Sequence, residues 1–440
     1  MANAPKDDPK KDPREAPRQK PGLSLGQNAP FPSRYRFVMA ALVLAGHLSV
    51  GLNIFPVSPI LPLAIDDFDI NRTTAGLLVS LPLLAAAVLG LPSGMLIARI
   101  GIRRAFIIGW TAVALASFSG LAPNFISLLL IRSGVGLGFA FIITATGPLL
   151  MQWFRPKEVL VMNAVTTAAL SLGIALSVAT AAPLAKVMDW QWALTMFALP
   201  AIAGLAAWLL FARTADGQTA SSGREASSGS RRGISLSEAA SVLRNRSVVL
   251  LLAADAGILV QYAAFTGWLP TFYNEDRGIS LSQAGFITGI LPLVGVFAVL
   301  AGGVVALRVD SPKTLFVASG LMAGLGGLGA FLLPGLGGIY PAVVILGFGS
   351  WLYVPTLLTL PMQMAGMTPE RVAVIWGSLL TFSGFAMFIS PILVGGLRDL
   401  TGSFLPGLAI CAAASWTLLL AGLLLPGRSR ANRAAPPRQD

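Results

Sequence analysis

The chain has 440 residues, of which 55% are hydrophobic and 11% charged, and its mean hydropathy is +0.75. An average soluble domain carries roughly 25% charged residues, and a soluble fold of this length could not hide so much apolar surface in one core. Lipid is the solvent that fits. The formal net charge of +12 lies in the tails and alternate loops, a distribution that follows membrane topology and argues against a nucleic-acid partner.

Residues 1–36 are rich in Pro, Lys, Arg and Asp, with no apolar stretch before Phe37. They read as a disordered, solvated tail and not as a signal peptide, because an h-region is missing. From Phe37 onward apolar runs alternate with short polar punctuation, at about 37–65, 75–97, 105–122, 125–152, 159–184 and 191–212. Residues 213–246 are different in kind. Ser221-Ser222-Gly223-Arg224 and Ser227-Ser228-Gly229-Ser230-Arg231-Arg232 mark a flexible basic linker. Six more runs follow, at about 248–273, 282–306, 314–334, 339–364, 372–397 and 404–426, and the chain closes on a tail at 427–440. At 1.5 Å of rise per residue, such runs match a hydrocarbon core of roughly 30 Å. The expected fold is an all-α polytopic membrane protein of twelve transmembrane helices in two six-helix bundles, 37–212 and 247–426.

Orientation follows from the basic residues. With the N-terminus placed in the cytoplasm, 26 of the 31 Lys and Arg fall in the tails and loops of that side. Only Arg72, Lys186, Arg277 and Arg398 fall on the other, and Arg132 lies within a span. This positive-inside bias predicts an inner (plasma) membrane protein with both termini and the linker cytoplasmic.

The halves repeat. Leu61-Pro62 matches Leu269-Pro270 at an offset of 208, and Ala75-Gly76, Gly94 and Arg99 match Ala284-Gly285, Gly303 and Arg308 at 209. Gly134, Gly136, Pro148, Met151 and Pro156 match Gly347, Gly349, Pro361, Met364 and Pro369 at 213. Duplicated halves characterise transporters that rock one bundle against the other around a midplane site.

Motifs carry a family resemblance over about residues 37–426. The loop after the second span runs Gly94-Met-Leu-Ile-Ala98-Arg99-Ile-Gly101-Ile-Arg103-Arg104. It resembles the G-x-L-A-D-R-x-G-R-K signature of the major facilitator superfamily, with Ala98 where the family usually has Asp. Arg132-x-x-x-Gly136-x-Gly138, Ser58-Pro59-x-x-Pro62 and Pro391-x-x-x-Gly395-x-x-x-Asp399-x-Thr401-Gly402 are similar to further family signatures. The resemblance implies an alternating-access transporter whose conformational gate includes Gly94, Arg99, Gly101, Arg103 and Arg104. Trp268-Leu-Pro-Thr-Phe-Tyr273 looks like the cyanate-transporter branch, although Asn53-Ile54-Phe55-Pro56 lacks the arginine frequent there. The fifth span has no Gly-Pro pair of the drug/proton antiporter kind, which favours uptake.

Ionisable groups deep in a membrane are costly and mark function. Three lie well inside spans: His47, Arg132 and Asp255. Their helices, the first, fourth and seventh, line the central cavity in this superfamily, and the tenth adds Trp351 and Tyr353. Each charge has a structural alternative: Arg132 as a brace on backbone carbonyls, Asp255 in cytoplasmic water, His47 as a neutral hydrogen-bonding group. Asn53 and Gln261 are amides that also glue helices together. At the 208 offset His47 maps onto Asp255 and Asn53 onto Gln261, so the two ionisable groups are expected to approach the cavity from opposite bundles and couple protonation to rocking. Arg132 would then hold an anionic group of the substrate.

With one histidine and one deep acid, an intramembrane enzyme is a poor fit, and the lone Cys411 permits no disulfide within the chain. No Gly-x-x-x-x-Gly-Lys-Ser/Thr loop occurs, so ATP hydrolysis is not expected. Neither cofactor nor metal is implied. The partners are a small-molecule solute, a proton or other coupling ion, and the bilayer, with the protein working as a monomer. Efflux of amphipathic compounds and a non-transporting sensor remain open as alternatives.

Overall fold

The structure is a computed structural model that describes residues 34–213, 236–308, 311–364 and 369–425. Twelve helices among them are long and apolar enough to cross a membrane. In chain order these are α1 (Tyr35–Phe68), α2 (Arg72–Ile100), α3 (Ile102–Leu121), α4 (Phe125–Trp153), α5 (Pro156–Val187), α6 (Trp190–Phe211), α7 (Arg246–Glu275), α8 (Leu281–Arg308), α9 (Pro312–Leu332), α10 (Gly335–Thr359), α11 (Pro369–Thr401) and α12 (Leu405–Leu424). All the expected spans are present, with ends shifted by a few residues. The long tails, and residues 214–235 of the expected linker, lie outside the described residues. Within that linker Leu236–Leu243 is helical, so its C-terminal third is not the irregular coil that its composition suggests.

Polar residues punctuate the helices as their chemistry dictates. Asn71, Asn124 and Asn245 each accept a hydrogen bond from a backbone N–H in the first turn of α2, α4 and α7. Glu158 caps α5 by accepting the Arg155 backbone N–H, and it pairs with Arg36 at 3.2 Å. That backbone bond, before the Arg36 charge, holds the Glu158 carboxyl below its ordinary value. Gly101 turns the chain from α2 into α3 at φ 86°, a conformation in which a Cβ would clash.

Two of these helices are interrupted within their length. α1 stops at Ile54, passes through Phe55–Val57, and resumes in a 3-10 turn at Ser58–Ile60 and an α-helix at Leu61–Phe68. Three prolines, Pro56, Pro59 and Pro62, remove N–H donors from this stretch, which is why the helical ladder fails there. α10 breaks at Leu352–Tyr353, just before Pro355.

Packing follows the repeat. α1 packs on α5 and α6, and α4 on α2 and α3; α7 packs on α11 and α12, and α10 on α8 and α9. The two sets of six meet mainly along α5–α8 and α2–α11, with the 3-10 turn of α1 against α7.

Candidate functional site

The broken end of α1 explains Arg132. A helix terminus leaves its last carbonyls without helical partners. Ser58 N–H and Ile60 N–H turn to Phe55 and Val57 instead of reaching further back. The carbonyls of Asn53 and Ile54 accept from Arg132 Nη1 and Nη2, each at 2.6 Å, and Leu78 O accepts from Nε at 3.1 Å. Arg132 is 2% exposed. Its glycine companions are explained by contact as well: a Cβ on Gly136 would fall 2.1 Å from Pro82 O, and one on Gly138 would fall 2.4 Å from Val113. Arg132 therefore clamps α1, α2 and α4 together. This is the bracing role that the sequence offered as the alternative to holding a substrate anion, with three of the guanidinium's five N–H groups engaged by backbone.

Asn53 donates to Ser49 O and, across to α6, to Phe197 O, both at 2.9 Å. Gln261 donates to Ala323 O of α9 at 3.3 Å. His47 is buried, with Nδ1 3.0 Å from Val43 O one turn back on α1. None of these three lines the central cavity, so the expected pairing of His47 with Asp255 across it is not seen. A one-dimensional offset places residues at equivalent heights but leaves the facing direction free.

Asp255 is placed differently. It is buried on α7, where Tyr353 Oη of α10 donates to Oδ1 at 2.8 Å and Ser383 Oγ of α11 donates to Oδ2. One carboxylate thus ties three helices of the second half. It also lines a cavity of about 350 Å³ between the two halves. That cavity takes Ile54 and Phe55 from the break in α1, Leu83 from α2, Phe139 from α4, and Trp351 and Val354 from the break in α10. Among the described residues on its wall, Asp255 alone is of the Asp, Glu, Lys, Arg or His type. The wall residues Ile54, Phe55 and Tyr262 are buried, whereas Leu358, Trp376 and Leu380, nearer the end that carries Tyr35 and Leu424, are exposed.

The opposite end is sealed. Asp399, at the end of α11, accepts from the backbone N–H groups of Arg72 (3.2 Å) and Thr73 (2.8 Å) and from Thr73 Oγ1 (2.5 Å). A carboxylate from one half thereby caps a helix of the other. Arg72 also pairs with Glu275 at 2.7 Å, and Arg398 reaches Glu275 at 3.5 Å. Ser58 Oγ donates to Thr266 O and Gly267 O, and Trp268 Nε1 donates to Pro391 O. A Cβ on Gly395 would lie 2.5 Å from Arg72 O.

Among the described residues, nothing of the second half lies against Gly94 of the loop predicted to gate the other end. A Cβ on Gly94 would meet only Thr144 of its own half, at 3.6 Å, and one on Gly303 would meet nothing within 4 Å. Arg99 and Arg104 are exposed, and Arg103 donates to Leu209 O of α6 at 3.4 Å. Of the residues singled out by sequence, the cavity gathers Asp255, Trp351 and Tyr353. Sequence reasoning missed Ser383, which carries no signal of its own. It also missed the Arg72–Glu275 pair, whose signal is an oppositely charged pair beside the first loop of each half. Asp399 was quoted within a motif but given no role.

Relatives and solved structures agree with this architecture. The probable L-galactonate transporter of Escherichia coli (strain K12) is 25% identical over 380 residues, 82% of each chain. The hexuronate transporter of Bacillus subtilis (strain 168) is 24% identical over 83% of this chain and 89% of its own. The cyanate transport protein of E. coli (strain K12) is 28% identical over 81% of this chain and 90% of its own. Among solved structures, a bacterial homologue of the human lysosomal transporter Spinster, in an inward-facing, unoccupied conformation, superposes with a TM-score of 0.65 at 19% identity, covering 89% of this chain and 94% of that one. The sequence profile of the Major Facilitator Superfamily matches residues 43–391. With twelve membrane helices, breaks at the cavity and a match over most of its length, the chain belongs to the Major Facilitator Superfamily of transporters and is not an enzyme.

Proposed function

We propose that the protein is a secondary transporter that moves a small organic solute by alternating access, driven by a proton gradient, with Asp255 as the coupling group. The observation that carries this reading is the position of Asp255. It faces the cavity and holds α10 and α11 through hydroxyl groups that rotate freely, so gaining or losing a proton changes what ties three helices together. The far-end seal and the cavity whose exposed wall residues lie toward the other end support one of the two states that such a cycle needs. The bias of basic residues supports placing both chain ends in the cytoplasm and the seal outside, in the inner membrane.

Uptake is the direction supported by the relatives' names, which include the galactose-proton symporter of E. coli (strain K12), 30% identical over 38% of this chain. Those names also point to acidic sugars. An acidic solute would meet no cationic side chain on the described cavity wall, so the reading is held at a small organic solute. The test uses proteoliposomes loaded with a pH-sensitive dye and offered D-galactonate, D-glucuronate, aromatic amides and aromatic ammonium ions. At least one class should move protons in wild type, and Asp255→Asn should lower gradient-driven accumulation by at least about tenfold, about 1.4 kcal/mol, while tracer counterflow persists. Equal accumulation by the Asn variant would remove Asp255 from the coupling role.

A further inference from the structure

The cavity wall combines one carboxylate, no cation among the described residues, and six aromatic rings: Phe55, Phe139, Tyr262, Trp351, Tyr353 and Trp376. Three of these rings stand edge to face in a row, Phe55 to Tyr262 at 6.3 Å and Tyr262 to Trp351 at 5.3 Å. The rest of the wall is almost wholly aliphatic. An anionic solute placed here would be desolvated without a counter-charge and beside Asp255, a penalty of several kcal/mol. Arg132 does not relieve it, since all three of its contacts are to backbone carbonyls at the break of α1. A cation meets the reverse situation. Asp255 offers the charge, with lone pairs left over after its two hydroxyl bonds. Ring faces attract ammonium groups best where water is excluded, and quaternary ammonium ions are the usual guests of such aromatic cages.

We propose that this cavity takes an organic cation with an aromatic or otherwise apolar body, its charged group beside Asp255 and its body among the aromatic rings. The proposal rests on the transporter reading only for taking the cavity as the solute's place. It departs from the acidic solutes named for the relatives and from the uptake direction, because a proton and a cation that occupy Asp255 in turn are exchanged across the membrane. The cavity volume of about 350 Å³ leaves room for a two-ring body carrying a small ammonium group. Trp376 and Leu380, exposed at the rim, give it an apolar approach.

The experiment compares three probes on one frame: (2-naphthylmethyl)trimethylammonium, 2-naphthamide and 2-naphthoate, with D-galactonate as a fourth. Affinities for the purified full-length protein in lipid nanodiscs are read by calorimetry. The cation should bind about tenfold or more tighter than the amide, and naphthoate and galactonate should bind more weakly than the amide. Asp255→Asn should remove the cation's advantage and leave the amide within about twofold, which also shows that the variant is folded. Trp376→Leu should weaken the cation more than the amide, by a few-fold at about 0.5–1 kcal/mol for a partly exposed ring. Tighter binding of the amide, naphthoate or galactonate than of the cation, or a cation preference that survives Asp255→Asn, overturns the proposal. Tracer counterflow with the probe that binds separates the two readings. Binding without counterflow counts against transport and leaves the cation site standing, whereas counterflow of galactonate with no cation binding does the opposite.

Discussion

Arg132 and Asp255 are both charges buried in the membrane part of the chain, one in each half, and they have opposite kinds of partner. Arg132 is surrounded by carbonyl oxygens of α1 and α2, which the backbone fixes in place. Asp255 is held by the hydroxyls of Tyr353 and Ser383, which turn about a single bond. A charge bound to fixed dipoles is a structural member. A charge bound to rotors, on a cavity wall, can change protonation without dismantling a helix. The difference follows from the breaks: α1 exposes carbonyls that need a donor, while α10 breaks so that Tyr353 reaches across to α7.

The comparison predicts that Arg132 is the more damaging position. Arg132→Leu leaves three buried carbonyls without donors, at about 1–3 kcal/mol each, and should abolish recovery of monodisperse protein. Arg132→Lys, which can reach fewer of them, should restore part of it. Stable, monodisperse Arg132→Leu protein would show that the clamp is dispensable.

The far-end seal comes next. Asp399→Ala removes the cap that the second half places on α2, leaving that of Asn71, and should shift the balance toward opening at that end by about 1–2 kcal/mol, within the range for loss of a helix cap. Spin labels at Asp67→Cys and Ser280→Cys, with Cys411→Ala, would show a longer-distance population growing several-fold. An unchanged distribution would show that the seal does not set the balance. A smaller effect is expected at Gly94. Gly94→Leu meets little in this arrangement, so binding from the open end should be near normal, while turnover falls if the loop closes against the second half in the opposite state. Equal turnover would place the loop outside the gate.

The smallest effect is expected at His47. Its described contact is Val43 O within its own helix, so His47→Gln should change gradient-driven accumulation by less than about twofold, below 0.5 kcal/mol. Loss of coupling there would restore the cross-cavity pair expected from the repeat.

How much was legible from sequence follows the same division. Apolar run length fixed the helices, since crossing a bilayer requires about 20 such residues. The repeat located the two halves, and Ser58 and Thr266, 208 residues apart, do touch where α1 meets α7. Asp255 could be nominated because burying an ionisable group in lipid needs a reason, and Trp351 and Tyr353 because the family resemblance places the tenth helix on the cavity. What stayed hidden was direction. Arg132 and His47 share the rarity that singled out Asp255, but only the helix break and the facing angle decide that one braces and the other turns to its own backbone. Ser383 is an ordinary serine in an apolar run until α11 is laid beside α7.

The central claim is that Asp255 exchanges a proton with the cavity, and infrared difference spectroscopy of the protein in lipid tests it most directly. A pH step should produce a change in the C=O stretch of a protonated carboxylic acid in wild type and in His47→Gln, and that band should be missing in Asp255→Asn. A pH-dependent carboxyl band that persists in Asp255→Asn, with none lost, would contradict the account.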